Sequence, residues 1–103
     1  MKLWIDDVRE APRDHVWIQG TNIALRFILA NTANIELIDL DHDAGDYFKE
    51  GGDYIDILKE LERLTRTRNM DFSHIKFRIH SANPVGVANM RAIIEANGWK
   101  EVL

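Results

Sequence analysis

Residues 35–45 read Ile35-Glu36-Leu37-Ile38-Asp39-Leu40-Asp41-His42-Asp43-Ala44-Gly45, and this stretch decides the architecture. Ile35 to Leu40 is a short apolar run of strand length. It gives way at once to acid, histidine and acid, then stops at Gly45. A buried strand that ends in dense charge is one whose far end meets solvent or a ligand. The same pattern recurs on either side. Lys2 to Ile5 runs into Asp6-Asp7, and Ile75 to Ile79 runs into His80-Ser81. His15 to Gln19, closed by Gly20, reads as a further strand.

Between these runs the apolar spacing turns helical. Ala24, Phe27 and Ile28 form a stripe behind Thr21, which reads as the cap. Tyr54, Ile57, Leu58, Leu61 and Leu64 mark an amphipathic helix whose outer face carries Lys59, Glu60, Glu62 and Arg63. Asn83-Pro84 is a cap followed by a first-turn proline; Val87, Met90, Ile93 and Ile94 face inward, and Gly98 is the stop. Strands alternating with helices predict an α/β fold with a mostly parallel sheet of about four strands and three helices. Short connections place the first strand centrally, beside the third. The Gly51-Gly52 segment reads as a lid or a plain connection.

Length predicts a single domain over residues 1–103, large enough for one hydrophobic core. There is no cysteine, which removes disulfide scaffolds, thiolate metal sites and thiol catalysis. Thirteen basic against 17 acidic residues leave a net charge of −4, which argues against a sequence-independent grip on duplex DNA. Two carboxylates by position 7 come too early for a signal peptide, and no apolar run is long enough for a membrane span. A soluble cytoplasmic domain is the expectation, with no membrane partner. Self-association is left open.

In a parallel α/β sheet, ligands bind at the carboxyl ends of the strands. That edge should receive Asp6, Asp7 and Arg9, then Asp41, His42 and Asp43, then His80, Ser81 and Asn83. Carboxylates gathered at one point repel unless a cation intervenes, and hard oxygen ligands favour Mg²⁺ or Mn²⁺. Asp6, Asp7, Asp41 and Asp43 are the candidate metal ligands. His42 and His80 are candidates to move protons, and Arg9 and Ser81 to hold phosphate. Each has a plainer reading. Asp6-Asp7 alone would be a loop cap, His80 a strand-end histidine bonded to backbone, and Asn83 a helix cap. Trp4, Trp17 and Trp99 read as core or subunit contacts, and His15 and His74 as surface residues on the opposite edge. Arg63, Arg66 and Arg68 read first as a solvated helix face and second as a phosphate-steering patch.

Trp4-Ile5-Asp6-Asp7-Val8-Arg9, Leu40-Asp41-His42-Asp43-Ala44-Gly45 and His80-Ser81-Ala82-Asn83-Pro84 together resemble the cyclic-phosphate processing receiver-like domain family. The resemblance implies a compact, three-layer, receiver-like (flavodoxin-like) fold. It implies a role on cyclic phosphates, either an RNA end carrying a terminal cyclic phosphate or a cyclic nucleotide. By motif position, Asp6 and Asp7 match a receiver's acidic metal pocket and Asp41 its phosphoacceptor. His42, Asp43, His80 and Ser81 match the family's added polar set. Asp39 departs from the family's usual small residue, as an extra ligand or a buried carboxylate. No lysine is visible at the end of a fifth strand, which weakens a phosphorelay reading. The leading expectation is a metal-dependent phosphoesterase with Asp41, His42 and His80 as catalytic residues. The alternative is a non-catalytic module that senses phosphate or a cyclic nucleotide.

Overall fold

The computed structural model describes all 103 residues. Strand β1 (Lys2–Ile5) is followed by β2 (His15–Ile18), helix α1 (Thr21–Ala30) and β3 (Leu37–Leu40). Helix α2 (Ile55–Arg68), β4 (Lys76–Ile79), α3 (Pro84–Ala96) and β5 (Lys100–Glu101) complete the chain. All strands pair in parallel in the order β2-β1-β3-β4-β5, so β1 lies beside β3 as expected. The sheet has five strands rather than four. The fifth is two charged residues long and carries no apolar pattern. It is held by Val102 N–H donating to Phe77 O at 2.7 Å and by Arg91 donating to Glu101 at 2.6 Å.

Alternation along the strands separates two faces. Leu3, Ile5, Ile18, Ile38, Leu40 and Phe77 point to one face and are buried with Ile28, Ile57, Leu58, Leu61 and Met90 of the helices. Right-handed crossovers explain the arrangement. The β2-to-β3, β3-to-β4 and β4-to-β5 connections all step in the same direction across the sheet, so their helices share one side. The β1-to-β2 step runs the other way and is only a loop. The expected three layers are therefore two plus a loop. The outer face has no helix over it.

Two local expectations also meet detail. Asn83 caps α3 through its Oδ1, which accepts from Gly86 N–H at 3.0 Å, with Pro84 in the first turn. Thr21 is not the cap of α1. Gly20 holds that position, while the Thr21 hydroxyl donates to Gly52 O at 3.0 Å. That bond fastens the Gly51-Gly52 segment to α1 as a connection, with Gly51 at φ 122°. Arg63 and Arg66 pair with Glu60 and Glu62 on the solvent face of α2.

Candidate functional site

The chain reverses its direction across the sheet between β1 and β3, and the acidic residues gather at the carboxyl end of that junction. Ladder-like bonds carry the strands one residue further. Asp6 N–H donates to Ile18 O at 3.3 Å, Asp41 N–H to Ile5 O at 2.9 Å, and His80 N–H to Leu40 O at 3.1 Å. Three chemically active residues thus start from adjacent, fixed backbones. Trp17 Nε1 and Gln19 Nε2 donate to the carbonyls of Asp6 and Asp7, pinning the β1 terminus further.

Asp6 is fully buried. Its Oδ1 accepts the backbone N–H groups of Val8 and Arg9 at 2.9 and 2.7 Å, and its Oδ2 meets His80 Nε2 at 2.9 Å. Burial pushes this carboxyl up, but the two backbone donors and His80 outweigh it and hold the group below the ordinary 3.8. His80 Nδ1 lies 2.6 Å from Asp39 Oδ1. Burial opposes the charged imidazole, yet its bonds to Asp39 and Asp6 prevail and lift it above 6.5. Both ring nitrogens thus face a buried carboxylate oxygen, an arrangement that favours the charged imidazole, so His80 is clamped between two buried acids. Asp39, the acid inside β3, serves this clamp, and its other oxygen lies 3.6 Å from Arg78 Nη1.

Trp4 is not a core residue. Its indole stacks on the His80 ring, centroids 3.7 Å apart and planes 4° from parallel, and its Nε1 donates to Arg9 O at 2.8 Å. Trp99 does pack in the core, against Phe77 and Phe72. Trp17 is 39% exposed on the outer sheet face. His15 and His74 bond backbone carbonyls at the amino edge, away from the site.

Beside the clamp lies an open cleft of about 290 Å³ lined by Arg9, Asp41, Asp43, Ser81, Ala82 and Asn83. Arg9 Nη1 donates to His80 O at 3.2 Å, which sets its guanidinium at the rim. Asp41 Oδ1 accepts the His42 backbone N–H at 2.7 Å. His42 Nδ1 lies 2.8 Å from Asp43 Oδ1, and its ring rests flat on Gly86, where a Cβ would come within 2.5 Å of the ring carbon. Asp7 is pushed up from 3.8, first by burial and then by the like charges of Asp6 and Asp41. Gly45, at φ 55°, lets the following turn close on Asp7, since a Cβ there would fall 2.2 Å from Asp7 Oδ2. Tyr54 is raised by burial and by the same three acids, and its hydroxyl donates to Gln19 O at 2.8 Å.

The expected metal ligands do not form one set. Donor atoms of Asp6, Asp41 and His80 lie within 4.8 Å of one another, while Asp43 groups with His42 and Asp53. Both His80 nitrogens already have partners, and Asp6 Oδ1 accepts two backbone N–H groups, while Asp6 Oδ2 meets only His80 and keeps a second lone pair. Asp7 belongs to neither group, although the charges of Asp6 and Asp41 both act on it. Trp4 and Asp53 had no sequence signal as site residues. Asp39 did, as an acid inside a strand.

A family model described as the Cyclic-phosphate processing Receiver domain matches residues 1–96. The chain belongs to that family. No curated protein and no solved structure matches it.

Proposed function

We propose that this member of the cyclic-phosphate processing receiver family is a divalent-metal phosphoesterase that opens a cyclic phosphate by hydrolysis. One observation carries the reading. The same open cleft is lined by two groups able to donate hydrogen bonds to a phosphate, Arg9 and Ser81, and by two carboxylates, Asp41 and Asp43. Carboxylates repel a phosphate unless a cation lies between them.

Asp41 and Asp7 would hold Mg²⁺ or Mn²⁺, which when bound neutralises their charge and polarises the phosphoryl group. The remaining work falls to side chains. The Arg9 guanidinium and the Ser81 hydroxyl bind phosphate oxygens and orient the ring. Asp43 accepts the Nδ1 proton of His42, leaving Nε2 as the acceptor that takes a proton from the attacking water. Water adds to phosphorus, one ring P–O bond breaks, the departing sugar oxygen takes a proton from solvent, and His42 returns its proton to solvent, so the net change is the addition of one water. His80 has both nitrogens engaged by Asp39 and Asp6 and so would position Asp6 rather than act as a base.

The test is turnover of 2′,3′-cyclic nucleotides, 3′,5′-cyclic nucleotides and RNA ending in a cyclic phosphate, with Mg²⁺ or Mn²⁺. Product release that vanishes with chelator and in Asp41→Asn is expected. Full activity in Asp41→Asn overturns the assignment. The locked state of His80 and Asp6 favours one second reading, a sensing module, whose signature is saturable ligand binding with no product.

A further inference from the structure

The outer face of the sheet has the composition of a binding surface. In register across the strands stand His15, Lys2, Leu37, Lys76 and Lys100, and two residues further along stand Trp17, Trp4, Asp39 and Arg78. Residues two apart on a strand share a face, so both rows belong to the side that no helix covers. Lys76, Arg78 and Lys100 are exposed, and Lys2 is half-buried. None of the three lysines takes part in the molecule's ion pairs. The one acid within these two rows, Asp39, is buried and already held by His80 and Arg78.

We propose that this face binds the single-stranded RNA leading to the cyclic-phosphate end. The inference rests on the catalytic reading above and narrows its substrate to RNA ends rather than free cyclic nucleotides. Lys2, Lys76 and Lys100 span about 14 Å across the strands, and the row lies about 13 Å along them from Asp6. The exposed Trp17 stands on the edge strand β2, beside β1, which carries Lys2 and Trp4. Basic groups that track a backbone, with aromatic surface for bases, are what single-strand recognition needs. The surface runs directly into the site, because Trp4 is stacked on His80, which neighbours the cleft.

Edge protection and self-association fit these lysines less well. Lysines protect sheet edges from pairing, but Lys2 and Lys76 lie on the inner strands β1 and β4. Lys76 and Lys100 stand directly opposite each other, so their like charges gather at one place on the open face, where an anion would relieve their repulsion. A second copy of the chain would bring this face against itself, and the only acid within the two rows, Asp39, is buried and already paired, so the lysines would find no opposite charge in them.

The experiment compares an eight-nucleotide single-stranded RNA ending in a 2′,3′-cyclic phosphate with a nucleoside 2′,3′-cyclic phosphate. The proteins are wild type and the pair Lys76→Glu/Lys100→Glu. This pair keeps equal charges opposed and so should preserve the fold, and Lys76→Gln/Lys100→Gln serves as the second variant. Expected are tighter wild-type binding of the RNA, a loss of at least about tenfold in the glutamate pair, and a salt dependence shallower by about 1.4 in log–log slope for the two lost lysines. Turnover of the cyclic mononucleotide should not change. Equal RNA affinity in wild type and variants overturns the inference while leaving the catalytic reading intact. A wild-type dimer that the variants dissolve, with no RNA affinity, also overturns it and assigns the face to a second copy. RNA binding that depends on the lysines, with no hydrolysis of any cyclic phosphate, keeps the surface and rejects the phosphoesterase.

Discussion

The indole of Trp4 lies flat on the imidazole of His80, with 3.7 Å between ring centroids. The contact joins the first strand to the fourth across Asp39, which is left only 1% exposed. An aromatic face against an imidazolium is favourable, and desolvation strengthens it. Hydrophobic burial thereby holds a charged clamp in place, and the clamp in turn fixes Asp6.

Trp4→Ala should lower stability by about 2–3 kcal/mol, the sum of lost packing and the lost cation–π contact. Denaturant unfolding at pH 6 measures it. A change below about 0.5 kcal/mol would show that the stack contributes nothing.

The clamp makes stability depend on pH in a definite direction. The folded His80 titrates above its ordinary 6.5, so its contribution is complete below that value and is lost as pH rises through the raised folded value. Asp6 is held low, so its contribution is present above 3.8 and is lost as pH falls through the lowered folded value. In chelator, wild type should lose stability between pH 6 and pH 9 more steeply than Asp39→Asn. NMR titration of His80 should show its protonation shifted downward in the variant. Parallel stability curves would contradict the clamp.

Asp41→Asn removes one of the acids that repel Asp7. Without metal, the variant should be as stable as wild type or more so, by up to about 1 kcal/mol. Saturating Mn²⁺ or Mg²⁺, at about 100 times its dissociation constant, should stabilise wild type by about 2.7 kcal/mol. In a domain of this size that raises the melting temperature by at least about 10 °C. The same addition should leave Asp41→Asn nearly unmoved, and calorimetric scans read both.

Gly86→Ala tests the seat of His42. The added methyl would meet the imidazole carbons at 2.5 and 2.6 Å, so the ring must leave its place. A stability loss of about 1–3 kcal/mol is expected from overpacking. Turnover should fall by at least about tenfold while metal-induced stabilisation persists. Unchanged turnover would remove His42 from the proton-transfer role.

Much of the fold was legible because burial writes itself into periodicity. The runs ending at Ile5, Leu40 and Ile79 could only be strands whose far ends meet solvent, and Asn83-Pro84 could only open a helix. β5 was not legible, since Lys100 and Glu101 have no pattern to read and the strand is held by the Arg91–Glu101 pair and by Val102 N–H bonding Phe77 O, 25 residues back. Nor was Thr21's true role, because its partner Gly52 lies 31 residues away.

The sequence alone determined that Asp6, Asp7, Asp41, His42, Asp43, His80 and Ser81 would share one edge, because parallel strands deliver their carboxyl ends together. Tertiary structure decided how those groups divide the work. It spends both nitrogens of His80 on Asp6 and Asp39, sets Trp4 over that clamp, and leaves Arg9, Asp41, Asp43 and Ser81 around the open cleft. It also leaves one sheet face bare, because the single crossover that could cover it is a loop. The stop of an apolar run fixes which residues stand at a strand's end, whereas partners tens of residues apart are chosen only when the sheet brings their backbones side by side.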